Sequence, residues 1–253
     1  MRSEERTVFI SGANRGIGLG MALLMAGKGY TVFAGYREEA RAERLFQKAP
    51  EDGPVVPVKV DVTRQTDLRG LVDTIASRAG HLDILINSAG INPGKAGGID
   101  SLSLKDFTES FVVNVGGPFL ATRYLLPLLK EGREKKVVNI TSVMGSIQLS
   151  TGDMVPYRVS KAALNMLTKN LAIAYQPYGI TVVGLHPGWV RTDMGGPEAP
   201  LSVEESVNGS GDPPGRALVQ SLRLRTRPMG WVSIGLRGDD GPQAERLRDH
   251  LGT

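Results

Sequence analysis

The sequence has no cysteine among its 253 residues. Disulfide bonds, thiolate nucleophiles and cysteine-based metal sites are therefore excluded. Histidine is scarce as well, and neither His81 nor His250 has acidic or histidine partners at the spacing that metal ligands need. We therefore expect no metal site, and any catalytic group has to come from other side chains.

A strong charge of one sign and a long apolar run are also missing. The net charge is +4, and the arginines of the last fifth of the chain are interleaved with acidic residues, whereas a nucleic-acid surface needs a concentrated basic stripe. No stretch approaches the roughly 20 apolar residues of a membrane span, and the charged start, Met1–Thr7, precedes no signal-peptide core. We expect a cytoplasmic protein that binds neither nucleic acid nor membranes.

Short apolar runs alternate with segments of helical length through the first three quarters of the chain. Strict β-α-β alternation predicts a Rossmann-type, doubly wound parallel sheet in a single α/β domain with three layers, α/β/α. Such a sheet binds ligands at the carboxyl ends of its strands. The strand candidates are Thr7–Ser11, Thr31–Ala34, Val55–Val60, Ile84–Ile86, Val137–Ile140 and Ile180–Leu185, and the helix candidates are Gly16–Gly27, Glu38–Lys48, Gln65–Ala79, Leu104–Lys130 and Val155–Tyr178.

The chain after residue 200 has a different pattern. Ser202 and Glu205 have the spacing of a capping box and predict a short helix. The segment Asn208–Gly215 would end that helix, and apolar periodicity is weak beyond it. We therefore assign residues 1–200 to the Rossmann-type domain and residues 201–253 to a divergent C-terminal appendage.

A glycine-rich turn, Ser11–Gly18, directly follows the first strand and opens the first helix. In this context Gly12 would permit a tight turn, Gly16 would let the backbone approach a pyrophosphate, and Gly18 would allow close packing of helix on strand. The helix N-terminus would then offer free N–H groups to the phosphates. The alternative is a glycine-rich turn that binds no ligand.

The end of the second strand bears on the choice between NAD and NADP. An acidic residue there would bind the ribose 2′-hydroxyl of NAD, but this chain has Arg37. A guanidinium binds a 2′-phosphate through charge-assisted hydrogen bonds, and Arg15 would add a second positive charge. We expect NADP (NADPH) rather than NAD, the alternative being two ordinary surface arginines, with Arg37 partly neutralised by Glu38 and Glu39.

Tyr157 and Lys161 lie four residues apart at the start of a predicted helix, so their side chains share one face. A free phenol has a pKa of about 10. An ammonium at ~4 Å and an effective dielectric of ~20 would stabilise the phenolate by about 4 kcal/mol, which is roughly three pKa units. The pair predicts a tyrosine acid/base, although this spacing alone is more often two solvated side chains.

Three further polar residues follow or flank the predicted strands. Ser142, just after the fifth strand, could hydrogen-bond a substrate carbonyl oxygen, with Thr141 as its local rival. Asn114 is a poor helix former placed mid-helix, either a solvent-facing filler or the holder of a relay water. His186 is interpreted as a loop histidine because Tyr157 is available as the acid/base.

These residues together resemble the short-chain dehydrogenase/reductase family over about Thr7 to Met194. Stretches around the glycine turn, Met144–Gln148 and Tyr157–Asn165 look like its sniffer and C-factor type of carbonyl reductase. The resemblance implies a seven-stranded sheet and a catalytic set of Asn114, Ser142, Tyr157 and Lys161, with Tyr157 as proton donor to an aldehyde or ketone and NADPH as hydride donor. It further implies cofactor contacts from Gly12, Asn14, Arg15, Gly16, Ile17, Gly18, Arg37, Asp61, Val62, Asn87, Ala89, Gly90, Tyr157, Lys161, Pro187, Gly188, Val190 and Thr192.

The departures from the family pattern are mild in the body of the chain and large at its end. Ser11 and Ser88 stand where the family usually has threonine and asparagine. After residue 207 the usual helix and last strand are not recognisable, and one hypothesis is that coding-frame changes scrambled this part. The resemblance allows a homodimer or homotetramer, and it leaves two alternatives to a reductase: an NADP-binding sensor or scaffold without turnover, and an oxidising alcohol dehydrogenase.

Overall fold

A computed structural model describes residues 5–93 and 99–209 of the chain. The described strands are β1 (Arg6–Ser11), β2 (Tyr30–Tyr36), β3 (Val55–Lys59), β4 (Ile84–Asn87), β5 (Lys136–Ile140) and β6 (Thr181–Leu185). The described α-helices are α1 (Gly16–Gly27), α2 (Glu43–Lys48), α3 (Gln65–Arg78), α4 (Leu104–Phe111), α5 (Gly117–Glu131), α6 (Val155–Tyr175) and α7 (Val203–Asn208).

The six described strands form one parallel sheet in the order β3-β2-β1-β4-β5-β6. Val8 of β1 pairs with Val32 on one side and with Ile84 on the other, so the strand order reverses at β1. This reversal is the switch point at which doubly wound sheets bind ligands. The predicted Rossmann-type sheet is confirmed. The seventh strand that the resemblance implies falls after residue 209, outside the described residues.

Two hydrophobic clusters cover the two faces of the sheet. Val8 and Ile10 of β1 pack with Met21 of α1 on one face. Phe9, between them, packs on the other face with residues of α3 and α5 such as Leu71. Alternate residues of a buried strand point to opposite faces. The apolar run of β1 therefore feeds both clusters and gives the three predicted layers.

Three predicted helices are broken or shortened. The predicted helix Glu38–Lys48 is a 3₁₀ turn, Glu39–Arg41, followed by α2. The predicted helix Val155–Tyr178 ends as α6 at Tyr175, because Pro177 has no N–H group to continue it. The predicted helix Leu104–Lys130 is divided by a π-helical segment, Val112–Gly116, between α4 and α5.

The stretch Leu104–Glu131 corrects one expectation, because by length and composition it is apolar enough to cross a membrane. Half of its most apolar window is buried inside the protein. Leu125, Leu128 and Leu129 of α5 belong to the hydrophobic cluster beneath the sheet. The apolar side chains of this stretch therefore contribute to the hydrophobic core.

Helix α7 belongs to the packed body of the protein, although its residues lie in the predicted appendage. Its predicted capping box is present, since the Ser202 hydroxyl accepts from the Glu205 N–H at 3.1 Å, and the helix ends at Gly209 in the left-handed region. Val207 is buried in the cluster above β1. The hypothesis about coding-frame changes concerns residues 210–253, which lie outside the described part.

Candidate active site

A cavity of about 920 Å³ lies at the carboxyl ends of the strands, along the switch point between β1 and β4. Two of the predicted site residues, Asn87 and Asn114, are buried behind its wall and do not line it. The other predicted site residues all line it: Gly12, Asn14, Arg15, Gly16, Ile17, Gly18, Arg37, Asp61, Val62, Ala89, Gly90, Ser142, Tyr157, Lys161, Pro187, Gly188, Val190 and Thr192.

The glycine turn has the close contacts that its spacing predicts. Gly12 adopts a φ of +66°, and a side chain there would lie 2.8 Å from the backbone of Ala89. A β-carbon on Gly18 would lie 2.2 Å from the Gly12 carbonyl oxygen, so α1 starts directly against the turn. Gly16 adopts a φ of +54°, which glycine tolerates best. The turn is a backbone cradle that larger residues would fill.

Behind the cradle, side chains tie neighbouring strands together. The Ser11 hydroxyl accepts from the backbone N–H groups of Ser88 and Ala89 at 3.1 Å. The amide of Asn87 donates to the Asn139 side chain on β5 at 2.8 Å. Ser11 therefore holds the segment after β4 without the threonine usual in the family, and Asn87 braces the sheet from behind the cleft.

Arginine side chains and the carboxylates that pair with them lie at the end of the cleft near β2. The Arg37 Nε lies 3.0 Å from the Glu38 carboxylate, and Arg41 Nε contacts the same carboxylate at 3.1 Å. Arg15 of the glycine turn forms an ion pair with Asp193. These arginines lower the pKa of the Glu38 carboxyl group, mostly through the Arg37 hydrogen bond. This end of the cleft is cationic, and each of the three arginines has an acidic partner that an anionic ligand would replace.

The opposite end of the cleft brings Tyr157, Lys161 and Ser142 together in buried surroundings. The Ser142 hydroxyl lies close enough to the Tyr157 phenol to lower the pKa of that phenol. The Lys161 Nζ lies 5.5 Å from the centre of the Tyr157 ring and donates to the Ile140 carbonyl at 2.7 Å. Tyr157 is 9% exposed and Lys161 is 5% exposed. The predicted shared helical face is present, and neither side chain is the solvated one of the alternative interpretation.

The pKa of Tyr157 does not follow the sequence-based expectation. Burial raises it above its usual value, while the Ser142 hydroxyl beside the phenol opposes the rise. Burial also lowers the pKa of Lys161 to about 8. The expectation counted only the attraction between phenolate and ammonium, whereas the folded protein removes both groups from water and so disfavours both charged forms. The phenol is therefore protonated in the neutral pH range.

Asn114 lies in the π-helical segment and is fully buried, which rules out the solvent-facing alternative. Its side-chain oxygen accepts from the Ile91 N–H at 2.8 Å, and its amide donates to the Ile91 carbonyl and to the Ser160 hydroxyl, both at 2.9 Å. Ser160 in turn donates to the Tyr157 carbonyl at 2.7 Å. Asn114 thus connects the segment after β4 to the start of α6. Both N–H donors of the side chain are used in these bonds, and the role of Asn114 as the holder of a relay water stays a prediction.

Thr141 and His186, two other polar residues of the cleft, differ from the catalytic candidates in their hydrogen bonds and charge. Thr141, the rival of Ser142, donates its hydroxyl hydrogen to the Asn165 side chain. Burial lowers the pKa of His186 to about 4, so its ring is neutral at physiological pH. His186 lines the cleft behind Pro187. The interpretation of His186 as a loop histidine agrees with that position.

Several cleft residues were not found from the sequence. Arg41 and Arg44 carry further positive charge, and they follow β2 on a 3₁₀ turn and on α2. Arg41 and Arg44 are three apart within the predicted helix Glu38–Lys48, and residues three apart on a helix share one face, so their spacing was a signal. Asp193 had no such signal, since its partner Arg15 is 178 positions away. Met144 also lines the cleft, together with Met154, Trp189 and Met194, which the sequence already places at the substrate side.

The switch-point cleft and its buried tyrosine and lysine define a dinucleotide-dependent oxidoreductase of the Rossmann-type fold. Residues 6–200 match the family model for short chain dehydrogenases. The chain belongs to the short-chain dehydrogenase family and is an NAD(P)-dependent oxidoreductase.

Individual relatives agree with this assignment. C-signal of Myxococcus xanthus is 42% identical over 131 residues, which are 51% of this chain and 78% of that protein. The carbonyl reductase from chicken fatty liver, solved with NADPH bound, is 37% identical with a TM-score of 0.75, over 82% of this chain and 90% of that one. The carbonyl reductase Sniffer of D. melanogaster is 34% identical with a TM-score of 0.75, over 81% and 90% of the two chains.

Proposed function

We propose that the protein is an NADPH-dependent carbonyl reductase that reduces an aldehyde or a ketone, with Tyr157 as proton donor. The observation that carries the proposal is the grouping of Ser142 with the buried Tyr157 and Lys161 in one cleft, with the Lys161 Nζ 5.5 Å from the centre of the Tyr157 ring. The similarity to two solved carbonyl reductases supports the same reaction.

The cleft fits NADPH by its shape and by its charge. Gly12 and Gly16 adopt positive φ angles that favour glycine, so the turn carries no side chains at these positions, where a pyrophosphate would approach α1. Arg15, Arg37 and Arg41 surround the end where a ribose 2′-phosphate would lie. Two NADP-bound or NADPH-bound structures among the relatives, from chicken fatty liver and from Burkholderia multivorans, support the choice of NADP.

The residues at the buried end divide the work of the reduction. When bound, NADPH supplies the hydride for the carbonyl carbon. The Ser142 hydroxyl hydrogen-bonds the carbonyl oxygen and orients it towards Tyr157. The Tyr157 phenol gives its proton to that oxygen as negative charge develops, and the product is an alcohol. Lys161, which is protonated at neutral pH, stabilises the phenolate that remains.

The pKa direction of Tyr157 favours reduction over oxidation, and the grouping of the three polar residues favours an enzyme over a sensor. A reductase needs a phenol that holds its proton before turnover, and burial keeps Tyr157 in that state. An oxidising alcohol dehydrogenase needs the phenolate as base. A sensor without turnover would not require Ser142, Tyr157 and Lys161 in contact. We propose a small-molecule carbonyl compound as the substrate, and the cytoplasmic location stays a prediction.

The test is NADPH oxidation by the purified full chain with a panel of aldehydes, ketones and quinones. We expect turnover with at least one carbonyl compound and a slower reverse reaction of its alcohol with NADP at neutral pH. Binding of NADPH without turnover of any compound would favour the sensor. A faster oxidation of alcohols than reduction of carbonyls at neutral pH would favour the dehydrogenase.

A further inference from the structure

Helix α7 contacts the wall of the cleft through one buried hydroxyl group. Ser206 is 1% exposed, and its hydroxyl donates to the Pro187 carbonyl at 2.7 Å. Pro187 and Gly188 follow β6 and line the cleft. The hydrogen bond therefore joins a helix that does not belong to the predicted Rossmann-type domain to the backbone that bounds the cleft.

The position of α7 is itself fixed on the opposite side by α1. A β-carbon on Gly20 of α1 would lie 2.5 Å from the Val203 side chain and 3.3 Å from that of Val207. Only a glycine at this position allows the two helices to approach so closely. Because α1 starts at the glycine turn, α7 is packed against one cleft-forming element and hydrogen-bonded to another.

Additional contacts tie the rest of the wall to the segment in front of α7. The Arg191 guanidinium donates to the carbonyl oxygens of Ala199 and Pro200 at 2.9 and 2.8 Å. The Arg191 N–H donates to the Leu201 carbonyl at 2.8 Å. The wall from Pro187 to Arg191 is thus held from behind, and Ser206 provides the buried contact nearest to its start.

We infer that Ser206 is a positioning residue for the cofactor, which acts by fixing the Pro187 carbonyl and so the cleft wall beside the nicotinamide end. The inference rests on the proposed function, because it takes NADPH as the ligand. A wall fixed before binding costs less conformational freedom when the ligand arrives. Removal of the hydroxyl leaves the Pro187 carbonyl without its hydrogen-bond donor and loosens the cleft wall. We therefore expect NADPH affinity to fall more than kcat.

The chain offers a matched control on the same helix. Ser202 caps α7, with its hydroxyl accepting from the Glu205 N–H, and does not line the cleft. Ser206→Ala and Ser202→Ala delete the same group from the same helix. Only the first variant removes the contact with Pro187.

The experiment measures NADPH affinity by fluorescence titration of the full chain, together with KM for NADPH, kcat and the melting temperature. We expect Ser206→Ala to raise the Kd and KM for NADPH on the order of five-fold, within the limit set by the free energy of one hydrogen bond, with kcat within about two-fold. Ser202→Ala should lower the melting temperature and leave the Kd within about two-fold.

Two results would overturn the inference: an unchanged NADPH affinity in Ser206→Ala, or equal losses of affinity in the two variants, which would mean that helix stability alone matters. Binding is measured without turnover, so this outcome is independent of the reaction. If Ser206→Ala weakens NADPH binding but the wild type reduces no carbonyl compound, the proposed function is rejected and the inference about Ser206 stands.

Discussion

The two ends of the cleft hold their charges in different ways. Near β2 the arginines are paired with carboxylates on exposed side chains, as with Arg37 and Glu38 at 54% and 43% exposure. Around Tyr157 and Lys161 the groups are buried, and Lys161 donates to the Ile140 carbonyl instead of forming an ion pair. Exposed ion pairs are weak and screened by salt, whereas buried groups change their pKa values. We therefore expect the first end to set the choice of cofactor and the second to set the rate.

The largest predicted effect concerns the buried end. Lys161→Met should lower kcat/KM by roughly 10²- to 10⁴-fold, the usual worth of an acid/base group, because no cation then stabilises the Tyr157 phenolate. Steady-state reduction of the best carbonyl substrate measures it. Lys169→Met, a matched change on the same helix away from the cleft, should leave kcat/KM unchanged, and an equal loss in both variants would contradict the role of Lys161.

The second prediction concerns the arginine end. Arg37→Ala should raise the Kd for NADPH by roughly 10- to 100-fold, since a hydrogen bond to a charged group contributes about 1.5–3 kcal/mol. The Kd for NADH should stay within about two-fold, because NADH lacks the 2′-phosphate. Arg69→Ala on α3, which does not line the cleft, serves as the control. An unchanged NADPH preference would reject Arg37 as a phosphate ligand.

The third prediction is a stability change with pH at the buried end. The pKa of His186 is lowered to about 4 by burial, so between pH 6.5 and pH 4 the unfolded chain binds a proton that the folded protein does not. Stability is therefore lost as the pH falls through this window. Urea unfolding at pH 7 and pH 5 should show that the wild type loses about 2 kcal/mol more than His186→Asn. Equal losses would mean that His186 titrates normally when folded.

The smallest predicted effect again concerns the exposed end. Glu38 neutralises both Arg37 and Arg41, so Glu38→Gln should free them and lower the Kd for NADPH by about two- to five-fold. The gain should shrink as salt is raised, because exposed charges are screened. Glu39→Gln, an exposed neighbour outside the cleft, should have little effect. A gain that persists at high salt would contradict the contrast between the two ends.

The sequence was most informative where spacing alone decides the geometry. The strand candidates follow from apolar runs, and the shared face of Tyr157 and Lys161 follows from the helical repeat. The role of Gly18 followed in the same way, because a side chain there meets the Gly12 carbonyl. These are local relations, and local rules predict them.

The sequence was least informative where a property depends on burial or on contacts between segments that are far apart in the chain. The pKa of Tyr157 moves in the direction opposite to the expectation, because a count of neighbouring charges says nothing about removal from water. Asn114 was a poor helix former whose purpose appeared only with Ile91 and Ser160 beside it. The contact between Ser206 and Pro187 joins residues on either side of the predicted domain boundary.

The most direct test of the account is Tyr157→Phe, which removes only the phenolic oxygen. Titration with NADPH should give a Kd within about two-fold of the wild type, because the glycine turn and the arginines are untouched. Reduction of the best carbonyl substrate should fall by about 10²-fold or more. A variant that binds NADPH and still reduces the carbonyl within ten-fold of the wild-type rate would contradict the assignment of Tyr157 as the proton donor.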